Sequence, residues 1–172
     1  MNIALTIEQI NIDLYVKLLE KRRNNIMEGE FTKLLYSDEY ITLNGIYFTF
    51  PIIKSQIIVE TFPMNRQGRQ ILYKSGQKKL IFQPNHPNNK YLIQQIAVFE
   101  KQLLHFYIES TFSEKNPVYS LQNQLINGFV KVFYDNVKDV KENANYYVKI
   151  SGIWETAKNI GITYKFIEAS LI

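Results

Sequence analysis

The stretch NGFVKVFY, Asn127 to Tyr134, carries the most chemistry in the chain. Read as a strand, its period of two places Phe129, Lys131 and Phe133 on one side and Val130, Val132 and Tyr134 on the other. The aliphatic side is the natural core face. The other side is then a stripe of two rings about one cation, poor as a solvent surface. Planar rings accept the faces of unpaired bases and an ammonium group meets phosphate, so the stripe suits a single nucleic acid strand. The competing arrangement buries both faces, with Lys131 extending its stem to reach water.

Near the end of the chain, YYVKISGIWETAKNIGITYKF repeats the pattern. Alternation puts Tyr146, Val148, Ile150 and Trp154 on one face and Tyr147, Lys149 and Ser151 on the other, with Gly152 marking a bulge or a close backbone approach. In the following run Ile162, Tyr164 and Phe166 oppose Thr163 and Lys165. The segment reads as a closing hairpin around Lys158 to Gly161, with one core face and one face of tyrosine and lysine. Trp154, the sole tryptophan, reads as a core anchor ahead of a stacking residue. A further basic cluster, Arg66, Arg69, Lys74, Lys78 and Lys79, surrounds Tyr73 and the loops bearing Gly68 and Gly76. Such loops can track a phosphate backbone, although taken by itself the cluster is better explained by an ordinary solvated hairpin. Arg22 and Arg23 add a weaker basic site.

Reactive chemistry is scarce. The chain has no cysteine, which removes disulfides, thiolate metal sites and a cysteine nucleophile. It lacks a glycine-rich phosphate loop and a nucleophile elbow, and His86 and His105 stand apart without metal-ligand spacing. His105 reads as a core or boundary residue on a helix, His86 as a solvated loop residue. Asp38, Glu39 and Asp135 fall at turns, where bonds to backbone account for them. The expectation is a protein that is not an enzyme and holds neither metal nor cofactor.

The elements that must position these residues are mostly strands. EYITLNGIYFTF (39–50) and SQIIVETF (55–62) are rich in β-branched and aromatic residues, and Pro51 and Pro63 close them. Residues 70–74 and 79–83 read as a hairpin with a basic tip. From PNNKYLIQQ onward the period changes: Leu92, Ile96, Phe99, Leu103 and Phe106 recur every three or four residues, a helix capped by Asn88 or Asn89. After Pro117 the chain reads as strand again, in QLINGFVKVFY, and the N-terminal run as a hairpin turning at Asn24 to Gly29. Strands interrupted by one principal helix predict a mainly β fold, a partly open Greek-key barrel of the oligonucleotide-binding type, with a general α+β sheet as the alternative. At 172 residues and 46% hydrophobic composition, the expectation is one domain spanning 1–172. A net charge of +4 is compatible with an anionic partner, and the sequence predicts neither a membrane span nor a secretory leader. The expected location is the cytoplasm or nucleus of a host cell.

Two quoted segments, LINGFVKVFY and KISGIWETAKNIGITYKF, with FTKLLYSDEYITLNGIYFTFPI more loosely, resemble single-stranded DNA-binding proteins of large DNA viruses and cytoplasmic linear plasmids. The resemblance implies an oligonucleotide-binding fold and sequence-tolerant binding of single-stranded DNA in replication or recombination, with RNA and replication proteins as further candidate partners. The residues expected to contact nucleic acid are Arg66, Arg69, Tyr73, Lys74, Lys78, Lys79, Phe129, Lys131, Phe133, Tyr147, Lys149 and Lys165. The alternative is an interaction or assembly subunit that uses its exposed aromatic strands to bind protein.

Overall fold

A computed structural model describes residues 5–24, 28–59, 76–134 and 145–169. A 3-10 turn (Ile7–Gln9) and a one-turn helix, α1 (Ile12–Tyr15), lead into β1 (Val16–Asn24) and β2 (Gly29–Ser37). These two strands form the N-terminal hairpin that the sequence predicts. There follow β3 (Thr42–Leu43), β4 (Ile46–Thr49), β5 (Lys54–Val59), β6 (Gly76–Phe82), the principal helix α2 (Pro87–Thr111), β7 (Asn116–Pro117) and α3 (Ser120–Ile126). Then come β8 (Phe129–Tyr134), β9 (Asn145–Glu155) and β10 (Asn159–Ala169).

The strands make one mixed sheet in the order β1-β2-β9-β10-β8-β6-β5, with β3 on β2, β4 on β9 and β7 on β10. β10 runs parallel to β7 and β8; the other pairs are antiparallel. The fold is therefore mainly β with one principal helix. β1 and β5 end the ladder, and among the described residues no pairing joins them, so the sheet is open.

One face of the sheet holds the core. Val130 and Val132, Leu80, Ile46 and Phe48, Val148, Ile150 and Ile153 all point inward and are fully buried. Helix α2 covers them with Ile96, Phe99, Leu103, Leu104 and Tyr107 from its apolar stripe. Phe99 meets Phe48 edge to face, with ring centroids 5.4 Å apart. Among the described residues no helix is long and apolar enough to cross a membrane.

Local chemistry explains where the elements differ from expectation. Residues 39–50 form two short strands because Gly45, at φ +125°, turns the chain against the Ile150 carbonyl. Residues 120–126 form α3, with Leu121 and Leu125 four apart on its buried side, and Gly128 at φ +81° restarts the strand. Helix α2 begins at His86, whose Nδ1 accepts from the Asn88 amide at 3.3 Å. Asn89 is buried instead, bonded to the Ile53 backbone and the Gln83 carbonyl. His105 is exposed and faces Glu109 at 3.0 Å rather than the core. The expected partner strand at 70–74 lies outside the described residues, and β6 pairs with β5 and β8.

Candidate nucleic-acid interface

The face of the sheet opposite α2 is built by register. Cross-strand partners share a face, and β6, β8, β9, β10 and β4 align their outward residues in transverse rows. Lys79 pairs with Lys131 across β6 and β8, Lys165 with Lys149 across β10 and β9, and Lys149 with Tyr47 across β9 and β4. β10 and β8 are joined at Phe166 and Val132, one residue beyond Lys165 and Lys131. Lys79, Lys131, Lys165 and Lys149 thus line up across four neighbouring strands. At about 4.8 Å per strand the row is at least about 14 Å long.

Between Lys131 and Lys165 the sheet parts. A groove of about 200 Å³ opens there, lined by Gln124, Phe129, Lys131, Tyr164, Lys165 and Phe166. Aromatic rings stand at both ends of the row. The Lys79 ammonium lies 4.3 Å from the Phe129 ring centroid, and that of Lys149 lies 5.5 Å from Tyr47. Phe129, Tyr47 and Tyr147 are half-buried, and Lys131 and Lys165 are exposed. Phe129 and Lys131 therefore share the outward face while Val130 and Val132 are core, as the alternation predicts. Phe133 pairs by backbone with Gln77 and Ile167, and its side chain lies outside the described residues.

Among the described residues paired in β2, β4, β6, β8, β9 and β10, no outward position carries a carboxylate: Glu30, Glu155 and Glu168 all fall on the α2 side. Like charges directly opposed across strands destabilise a sheet. Lys79 with Lys131 and Lys165 with Lys149 are two such pairs on this face.

Lys78 does not belong to it. Expected in the basic cluster, it is 1% exposed, and its ammonium lies 2.7 Å from the Glu168 carboxylate. Its partner across the ladder is Val132, a core residue, so alternation turns Lys78 inward and Lys79 outward. Arg66, Arg69, Tyr73 and Lys74 lie outside the described residues. Tyr47 was not among the expected residues. Its alternation with Ile46 and Phe48 marks it as outward, but only the β4–β9 register places it beside Lys149.

On the α2 side, buried Glu155 gathers a polar cluster. Its carboxylate accepts from the Tyr107 hydroxyl at 2.7 Å and pairs with Lys21 at 2.8 Å and Lys115 at 3.5 Å. Burial pushes the Glu155 carboxyl up, but the hydrogen bonds from Lys21 and Tyr107 and the charges of Lys21 and Lys115 prevail and hold it below its ordinary value. Glu100, wholly buried, is pushed up by burial and accepts the Leu121 and Gln122 amides at 2.9 and 3.0 Å, anchoring α3 to α2.

A depressed folded pKa gives stability that is present above the ordinary carboxylate value and lost as pH falls through the depressed one. Glu155→Gln should therefore cost about 1.5–3 kcal/mol at neutral pH, the range for hydrogen bonds to a charged group. The deficit should shrink below pH 4. Urea melts of both proteins from pH 7 to 3 check this; a deficit independent of pH would mean the carboxylate charge contributes nothing.

Compared with protein-family models, curated proteins and solved structures, the chain matches none.

Proposed function

We propose that this chain binds single-stranded nucleic acid, DNA first, without catalysis and with little sequence preference. The observation that carries the reading is the alignment of Lys79, Lys131, Lys165 and Lys149 in one row across four neighbouring strands, with aromatic rings at both ends. Phosphates meet the row, and exposed bases stack on Phe129 and on the tyrosines beside Lys149. Replication or recombination of the kind carried out by DNA viruses and linear plasmids, and a fold of the oligonucleotide-binding type, belong to the same proposal. The mainly β sheet with a single principal helix on its other face supports it.

Titration of labelled oligo-dT at low salt, followed by anisotropy with duplex and RNA competitors, tests the reading. Saturable binding in the micromolar range or tighter, resisted by duplex, is expected. No binding would sink it and favour the second reading, an assembly subunit joined through the β5 end of the sheet, where Ile58 and Val59 are 39% and 43% exposed.

Phe129→Ala should weaken oligonucleotide binding by about 1–3 kcal/mol, the value of one stack, with a small change in melting temperature. Val130→Ala, one residue on, should do the reverse, since Val130 is fully buried.

A further inference from the structure

The bulge in β9 produces a second feature on the outward face. Ile150 pairs with Tyr164 and Gly152 with Thr163, so Ser151 is an extra residue in β9 and the alternation reverses beyond it. Ile153 and Glu155 turn inward, and Trp154 emerges on the lysine side. There it stands between Phe31 of β2 and Gly161 of β10, while Arg22 of β1 lies beyond Phe31. The next row holds Lys33, Gly152 and Thr163. A side chain at Gly161 would fall within the Trp154 indole, and one at Gly152 within the Phe31 ring. Both rings therefore lie against bare backbone. The indole Nε1–H donates to the Ile162 carbonyl at 3.2 Å, which fixes the ring further.

Two adjacent rings, half-exposed and held on backbone, are ordered before any ligand arrives, so little conformational freedom is lost on binding. Exposed Arg22 and Lys33 flank them; Glu20 of β1 falls in the irregular stretch opposite Lys33, and the register partners of these two rows themselves carry no carboxylate. We infer that Phe31 and Trp154 form a stacking platform for an unpaired nucleobase, a subsite apart from the lysine row, with Arg22 and Lys33 meeting the adjoining phosphates. This rests on the proposed function and extends the strand's path from β4, β9 and β10 toward β2 and β1.

Trp154 is the sole tryptophan, so its emission reports this position in the unaltered protein. Oligo-dT or oligo-U should quench it over the concentrations at which anisotropy saturates, the tighter binder marking the preferred strand. An abasic oligodeoxynucleotide, which offers phosphate without bases, should leave emission unchanged. Trp154→Phe should bind within about threefold of the parent, whereas Trp154→Leu should lose on the order of tenfold, the lower part of the range for one lost stack. Should Trp154→Leu fail to fold, the emission of the parent protein decides. Saturating anisotropy with unchanged emission would overturn the platform and leave the lysine row standing, as would equal quenching by the abasic strand. No anisotropy change with any strand would overturn the platform and the proposed function together.

Discussion

Lys78→Glu is expected to destabilise the fold severely, and Lys79→Glu, one residue on, to leave it nearly unchanged. The Lys78 side chain is 1% exposed and reaches past Val132 of β8 to Glu168 of β10, itself 9% exposed. Removing one member of a buried ion pair leaves the other charge without compensation, at a cost of about 3–5 kcal/mol. Lys78→Met should show that loss. Lys78→Glu should exceed it, because two carboxylates would then share the site. For a chain of this length each kcal/mol lowers the melting temperature by roughly 2–4 °C, so Lys78→Met should melt about 6–20 °C below the parent and Lys78→Glu lower still. Lys79 sits outward over the Phe129 ring, and its reversal should instead weaken oligonucleotide binding. Thermal melts of the two variants, measured together, check the contrast. A Lys78→Glu protein as stable as the parent would place that side chain outside the core.

Period-two reasoning reached the outward face wherever the strands are regular. In β8 it separated Phe129 and Lys131 from Val130 and Val132, and in β9 it separated Tyr147 and Lys149 from Tyr146, Val148 and Ile150. It failed at Trp154 because Ser151 adds one residue to the strand, and a slip of one reverses every later side chain. Gly152 hinted at the irregularity without fixing its phase. The strand expected over QLINGFVKVFY begins too early, since Gln124 to Ile126 belong to α3; the buried pair Leu121 and Leu125, together with the carboxylate that Glu100 supplies from α2, makes them helical. The lysine row itself was not legible. Each lysine can be assigned a face from its own strand, but their alignment depends on β10 lying between β9 and β8, which is a property of the sheet order.

Reversing three members of that row should abolish most of the binding. If each lysine neutralises one phosphate, a single strand contributes about 0.7 to the dependence of log K on log salt per contact. At 0.1 M salt, relative to 1 M, three contacts are then worth on the order of 100-fold in affinity, before any repulsion from the new carboxylates. Lys131→Glu, Lys149→Glu and Lys165→Glu together should therefore lower affinity by at least that factor. The three side chains are exposed or half-exposed; in the triple variant the pair at 79 and 131 becomes attractive and the pair at 149 and 165 stays like-charged, so the melting temperature should change little.

The most direct test of the central claim is the slope of log K against log salt for oligo-dT, measured on the parent protein and on the triple variant. The four lysines of the row should contribute about −2.8 to the parent slope, and the variant, which loses three of them, should have a slope shallower than the parent's by about 2.1. Equal slopes for the two proteins, or a parent affinity insensitive to salt, would contradict the assignment of this face to a nucleic acid strand.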